Sequence, residues 1–191
     1  MSLSLPALAA HANERYSLIT AAGFEALVRQ HQRRVYRVLL LTLKNPDDAD
    51  NLTQECFLRA YTSMATFRGE CSVQTWLLRI AINLARDHIR NRRASFWKRL
   101  LRLEDDGVLT TESEPRAPEP SPEQGMLARE DLDAVWRAVD RLSTRQKDVF
   151  LLRFVEELEL KEIAAVLGLR VGTVKTQLFR AVTRVREQTG R

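Results

Sequence analysis

The sequence predicts an all-α protein. It has two small helical domains joined by a flexible acidic linker, and the second is a four-helix domain with a helix-turn-helix. Three observations carry this expectation. Apolar residues recur at spacings of three and four along almost every patterned stretch, and none alternates as a strand would. Between residues 104 and 123 the composition breaks: four prolines and seven acids stand against one base. A segment of that kind cannot bury enough surface to offset the entropy of ordering, so it reads as extended or disordered. Charge is also blocked rather than mixed. The net +5 resolves into 0 over residues 1–23, +8 over 24–103, −6 over 104–123 and +3 over 124–191. These boundaries mark an N-terminal extension, a first helical domain, the linker and a second helical domain.

The elements follow in order. Phe24, Leu27, Val28, His31, Val35, Val38, Leu39 and Thr42 lie on one face of a first helix. Asn45 and Pro46 read as an N-cap and a first helical proline, and Asp47, Asp48 and Asp50 suit the positive end of the helix dipole. That second helix carries Leu52, Cys56, Phe57, Ala60, Tyr61 and Met64. A loop over 66–72 contains Gly69. Ser72 then caps a third helix with Val73, Trp76, Leu77, Ile80, Leu84 and Ile89, ending near Arg93. Beyond the linker, Ser121-Pro122 caps a helix with Leu127, Leu132, Val135, Trp136 and Val139. Ser143-Thr144-Arg145-Gln146 is a capping box opening the next, with Val149, Leu152 and Phe154. Two further helices span 160–167 and 172–188.

Several classes are excluded. The longest apolar run, the five residues 163–167, is far short of the ~20 residues that cross a bilayer. The N-terminus lacks a basic segment, and Pro6 interrupts its short apolar stretch, so an export leader is not expected. Cys56 and Cys71 form neither a disulfide framework nor a zinc spacing. The expectation is a cytoplasmic, reduced protein with no metal and no cofactor. Two basic blocks suit a polyanion, either nucleic acid or an acidic membrane surface.

The helix-turn-helix decides between these. Ala164 is the small residue where the two helices cross, Gly168 supplies the positive φ of the turn, and Val174 and Leu178 pin the second helix. Ile163 and Leu167 pack the first. The second helix then presents Lys175, Thr176, Gln177, Arg180 and Arg184, with six bases against the single acid Glu187 between 170 and 191. Such a helix offers early side chains to base edges in a major groove and later bases to phosphate. In the first domain, residues 86–102 hold seven bases and one acid, Asp87, just after Phe67, Trp76 and Asn83. Cations interleaved with aromatics suit a strand with unstacked bases. Trp76, at spacing four from Ile80 and Leu84, equally reads as core.

Two stretches resemble one family. Asp48-Ala49-Asp50-Asn51-Leu52-Thr53-Gln54-Glu55-Cys56-Phe57-Leu58-Arg59-Ala60-Tyr61, then Phe67-Arg68-Gly69-Glu70, then Thr75-Trp76-Leu77-Leu78-Arg79-Ile80-Ala81-Ile82-Asn83 look like region 2 of sigma-70-type sigma factors. Glu162-Ile163-Ala164 through Gly172-Thr173-Val174-Lys175 to Arg180-Ala181 looks like region 4. Two regions and a short linker are similar to the extracytoplasmic-function (ECF) group. The resemblance implies an alternative sigma factor that binds core RNA polymerase, through its β′ and β subunits, and directs promoter recognition, strand opening and initiation. Asp50, Gln54, Glu55, Phe57, Leu58 and Tyr61 would dock on the β′ clamp helices. Phe67, Arg68, Ser72, Trp76, Arg79, Asn83, Arg86 and Arg90 would handle the −10 element, with the 67–72 loop forming a pocket for a flipped base. Thr173, Lys175, Thr176, Gln177, Phe179, Arg180 and Arg184 would read the −35 element. The acidic linker would run through the polymerase as a nucleic-acid mimic. An anti-sigma partner is implied, and with it any tie to a membrane. No enzymatic activity, no small-molecule substrate and a monomer free of partners are implied too.

The sequence departs from the family at three places. Before the helix-turn-helix the family often has Gly, Leu, then Ser or Thr; here Glu157, Leu158 and Glu159 stand there. If the conformation is kept, Glu157 in left-handed geometry costs about 1 kcal/mol, and a hydroxyl cap is lost. Thr176-Gln177 replaces Ser-Arg, so the −35 sequence should differ. Arg170 and Val171 offer no obvious N-cap, leaving Thr173 to serve less well. His31 reads as a packed core edge and His88 as a solvated or phosphate-facing residue. The rival readings are a dimeric helix-turn-helix regulator that works without core polymerase, and a DNA recombinase or nuclease using Tyr61 or the Asp47/Asp48/Asp50 cluster.

Overall fold

The computed structural model describes residues 21–64, 67–102 and 126–190. The N-terminal extension, the acidic linker and the Ser121-Pro122 cap lie outside the described residues, apart from the first turn of helix α1. The described residues form seven helices and no strand: α1 (Ala21–Leu43), α2 (Pro46–Ser63), α3 (Val73–Arg102), α4 (Met126–Asp140), α5 (Thr144–Phe154), α6 (Leu160–Leu167) and α7 (Val171–Thr189).

The local chemistry of each boundary is legible. The Asn45 side chain accepts the Asp48 N–H at 3.0 Å, capping α2 ahead of Pro46. Ser72 Oγ accepts the Thr75 N–H at 3.1 Å at the start of α3. Ser143 and Gln146 exchange reciprocal bonds at the start of α5. Glu157 has φ 57°, the left-handed geometry expected of it without glycine. The hydroxyl missing at 159 is compensated differently: the Glu162 carboxylate accepts the Glu159 N–H at 2.9 Å. Gly168 ends α6 at φ 64°. Two boundaries correct the sequence reading. α3 continues to Arg102 instead of ending near Arg93. α7 begins at Val171 with Arg170 as N-cap, and that side chain makes no cap bond; Thr173 lies inside the first turn.

Helices α1, α2 and α3 enclose one core, with Leu27, Val35, Leu39, Ala49, Cys56, Phe57, Ala60, Leu77, Ala81, Leu84 and Ala85 buried together. Helices α4 and α7 form another around Val139, Leu142, Ala181 and Val185. The third core joins the two helical groups. Val38 of α1 and Leu78 and Ile82 of α3 pack with Val149, Leu152, Leu158, Ile163, Val166 and Val174 of the second group. Helix α3 thus buries two faces. Leu77, Ala81, Leu84 and Ala85 serve its own bundle, while Leu78 and Ile82 serve the other. A helix apolar on more than one side is one that is covered on more than one side.

Polar groups rim this junction. Arg37 donates Nε and an η nitrogen to Glu156 Oε1 at 3.1 and 2.7 Å, and Arg34 Nε lies 2.8 Å from Glu156 Oε2. Arg86 and Asp148 pair, Lys44 pairs with Asp140, and Arg79 Nε donates to the Ala165 carbonyl at 2.9 Å.

Candidate polymerase and nucleic-acid interfaces

Helix α2 presents a stripe. Asp50, Gln54, Leu58 and Tyr61 recur at spacings of four, four and three, and all four are exposed. Leu58 is 59% exposed and Tyr61 57%, unusual for large apolar side chains and typical of a surface awaiting a partner. The stripe is held in place from both sides. Gln54 donates to Asp50 at 3.0 Å, Glu55 accepts from Arg59 at 2.7 Å, and the Tyr61 ring meets Phe24 edge-on at 5.1 Å. Phe57, grouped with the stripe from sequence, is instead 7% exposed and packs inward, supporting the helix from beneath.

The loop before α3 surrounds a cavity. Phe67, Arg68, Glu70, Cys71, Trp76, Arg79 and Ala165 line a space of 490 Å³. Phe67 is buried with its ring 4.8 Å from that of Trp76, which is half-buried. The aromatic pair therefore forms a wall rather than projecting. Arg68 is exposed at the rim, Gly69 turns the loop at φ 71°, and Ser72 is engaged with Thr75. Along α3, Arg79 and Asn83 line a second cavity of 410 Å³ whose opposite wall is residues 164–169. Arg90 is solvent-exposed and pairs with Asp87. His88 Nε2 and Arg92 both approach Asp48 Oδ2, at 3.2 and 3.3 Å.

Helix α7 turns its reading face outward. Lys175, Thr176, Phe179, Arg180 and Arg184 are exposed, Phe179 at 72%, while Val174, Ala181 and Val185 hold the other face in the core. Thr173 and Gln177 are half-buried at the edge of the face, and the Thr176 hydroxyl bonds back to the Gly172 carbonyl at 3.0 Å.

The carboxyls of Asp148 and Glu156 are both pushed above the ordinary range by burial, against the arginines that face them. Burial also raises the Cys56 thiol to about 12 and, less strongly, that of Cys71. Neither sulfur is poised as a thiolate. Among the described residues, no group of three His, Cys, Asp or Glu side chains could hold a metal ion, and no helix is long and apolar enough to cross a membrane.

Comparison with known proteins decides the family. The family description Sigma-70 region 2 matches residues 27–95, and Sigma-70 region 4 matches residues 132–185. The ECF RNA polymerase sigma factor SigW of Bacillus subtilis is 31% identical over 168 residues, 87% of this chain and 88% of that protein. This chain belongs to the ECF group of the sigma-70 family. The ECF RNA polymerase sigma-E factor of Escherichia coli is also 31% identical to this sigma factor, over 83% of this chain and 82% of its own length. Two solved structures share the sigma factor's fold, each at 21% identity. The sigma factor RpoE of Bartonella quintana, crystallised with the anti-sigma factor NepR, aligns with a TM-score of 0.62 over 86% of this chain and 95% of that one. CnrH, in complex with the cytosolic domain of CnrY, aligns with 0.63 over 94% of each chain.

Within this sigma factor, the structure gathers the α2 stripe on one surface and the α7 residues on another. Arg79, Asn83 and Arg86 lie along one side of α3, and that side meets the second helical group. The residues that make this contact, Val38, Leu78, Ile82, Asp148, Glu156 and Ala165, were absent from the sequence-based set. One signal was present: the apolar doublets Leu77-Leu78 and Ala81-Ile82 exceed what a single helix face needs.

Proposed function

We propose that this chain is an alternative sigma factor that joins core RNA polymerase and directs it to a class of promoters. The observation that carries the reading is the pairing, in one chain, of the exposed Leu58–Tyr61 stripe on α2 with the exposed basic face of α7. The first suits docking on a helical partner of the polymerase, with Asp50, Gln54 and Glu55 as its polar rim and Phe57 behind it. The second suits duplex readout at a −35 element. The loop cavity lined by Phe67 and Trp76 suits an unstacked base of a −10 strand, with Arg68, Arg79, Asn83, Arg86 and Arg90 along the strand's path. Residues 24–103 and 124–191 are then the two working modules, and the acidic segment is the tether between them.

The protein has no chemistry of its own in this reading and needs no cofactor. It works in the cytoplasm as a monomer. One protein of the same fold was crystallised with the anti-sigma factor NepR, and we infer a partner of that kind here. Run-off transcription with core polymerase on a genomic library tests the proposal. Discrete transcripts that require this protein are expected. Tight dimeric binding to palindromic duplex, indifferent to core enzyme, would replace the reading with that of an ordinary helix-turn-helix regulator.

A further inference from the structure

We propose that the end of α3 is a membrane-surface anchor. Residues 93–102 lay an apolar half, aromatic and leucine, against an anionic lipid bilayer and place their bases among its headgroups. The α2 stripe and the α7 reading face take no part in this contact.

The first observation lies in the sequence. From His88 to Leu103 there are six bases and no acid, and Phe96, Trp97, Leu100 and Leu101 are set among the last three of those bases. A helical repeat of about 100° per residue sorts them. Phe96, Leu100, Trp97 and Leu101 fall within an arc of about 140°, and Lys98, Arg102, Ser95 and Arg99 within an opposite arc of about 100°. Arg99 borders the Phe96 edge of the apolar half, and Lys98 borders the Leu101 edge. Bases rim both edges, the arrangement by which cationic heads reach past an apolar face that lies in an interface.

The second observation lies in the fold. Helix α3 continues to Arg102, yet the cover over it ends earlier. Asn91, Arg92, Arg93 and Ala94 are all exposed. Four successive residues more than complete a helical turn, so the two helical groups no longer enclose α3 at that level. The row of residues facing the second group makes the same point: Leu78 and Ile82 are buried, Arg86 pairs with Asp148, and Arg93 is exposed. Phe96 and Leu100 stand three and seven residues farther along that row. An apolar face thus resumes where the packing of the two groups has ended, and a helix end of that kind draws its stability from a surface laid against it.

Chemistry chooses the occupant. Nucleic acid would take the bases and leave two aromatics and two leucines in water. The acidic segment that follows offers charge, but Val108 and Leu109 are its only large apolar residues, too few to cover that half. A bilayer containing anionic lipid offers apolar depth beneath and negative charge above, and Trp97 suits the boundary between them. The eight residues past Ala94 make about 12 Å of helix, too short to span the membrane and long enough to lie in its headgroup layer. Attachment is therefore peripheral and reversible.

The test uses the full chain in four forms: wild type, Phe96→Ser combined with Trp97→Ser, Lys98→Glu combined with Arg99→Glu, and Glu104→Gln combined with Asp105→Asn and Asp106→Asn. Each is sedimented with vesicles of phosphatidylglycerol and phosphatidylethanolamine in equal parts, and with vesicles of phosphatidylcholine alone. Circular dichroism reports folding, and anisotropy of fluorescein-labelled duplex and single-stranded oligodeoxynucleotides reports nucleic-acid binding. Wild type is expected to bind the anionic vesicles at least about tenfold more tightly than the neutral ones. The aromatic and charge-reversed variants, helical as wild type, should each lose roughly tenfold of that affinity, and the aromatic variant should keep its affinity for oligonucleotides. No binding to anionic vesicles, or equal binding to both kinds, would overturn the anchor. So would binding that survives the aromatic change, which is adsorption of charge alone, or binding that survives charge reversal. Vesicle binding kept while both variants lose oligonucleotide affinity would give the segment to nucleic acid instead. Binding that appears only in the amide form would give it to the acidic linker. The aromatic and charge-reversed variants alter opposite halves of the helix, so either carries the test if the other fails to fold.

Discussion

Arg86 donates both Nε and an η nitrogen to a single oxygen, Oδ2 of Asp148, at 3.0 and 2.7 Å, across 62 positions of sequence. The carboxylate is buried and its other oxygen accepts no bond among the described residues. Removing one partner of such a pair strands the other, which costs more than the pair itself is worth. Asp148→Ala should therefore lower stability by about 2 kcal/mol, read as a reduced urea midpoint, while Asp148→Asn, which keeps an acceptor, should lose less.

The same carboxyls set a pH dependence. Burial raises Asp148 and Glu156 above the ordinary carboxylate range, so the folded chain holds their protons more tightly than the unfolded chain does. Their contribution to stability is full below that ordinary range and is lost as pH rises through the raised folded values. Urea denaturation across acidic to neutral pH should show this decline, and Asp148→Asn combined with Glu156→Gln should flatten it.

Glu157 occupies left-handed backbone at φ 57° and its side chain is exposed. Glu157→Gly should relieve the strain and stabilise the protein by up to about 0.5 kcal/mol, net of the entropy glycine restores to the unfolded chain. In a chain of this length that is a rise in Tm of about 1–2 °C.

Exposed faces on α2 and α7 should separate two activities. Lys175→Ala and Arg180→Ala should each weaken −35-dependent transcription by roughly 5- to 100-fold and leave affinity for core polymerase unchanged. Leu58→Ala should weaken core binding by roughly 10-fold and spare duplex contacts. Loss of core binding in the α7 variants, measured by competition for core enzyme, would contradict this division.

The cysteines should differ in reactivity. Cys56 is buried, its sulfur 3.6 Å from the Leu77 carbonyl, and its thiol is held at about 12. Cys71 lies in the loop before α3 and is half-exposed. Iodoacetamide at mildly alkaline pH should add one label to the native protein, at Cys71, and a second only after unfolding; rapid double labelling would show that the α1–α3 core opens readily.

What could be read from sequence was what local chemistry writes. The Asn45-Pro46 start, the Ser143–Gln146 box, the Gly168 turn and the strained Glu157 all depend on residues within a few positions of one another. The exposed α7 face followed from Val174 and Leu178 fixing the opposite side. The contact between helical groups was not legible, because its partners are distant: Arg37 and Glu156 are 119 positions apart. Periodicity finds one apolar stripe per helix, so Leu78 and Ile82 fell outside the stripe read for α3 from Val73, Trp76, Leu77, Ile80, Leu84 and Ile89. Phe57 was placed among the docking residues by the family resemblance, which does not say which side of α2 each residue faces. An acid such as Asp148 inside a helix looks solvated until the arginine that buries it is known.

The cross-module core bears on interchangeability. Sigma factors of two modules invite recombination, one supplier providing the −10 half and another the −35 half. Here the halves are matched parts: the acids at 148 and 156 fit arginines at 86, 34 and 37, and Leu158, Val149 and Leu152 fit Val38, Leu78 and Ile82. A hybrid that keeps residues 21–102 of this chain but takes its second half from a relative without those acids would lose the ion pairs that join the two halves. Designers of orthogonal promoters should accordingly exchange side chains on the outer face of α7 and leave its supporting module in place.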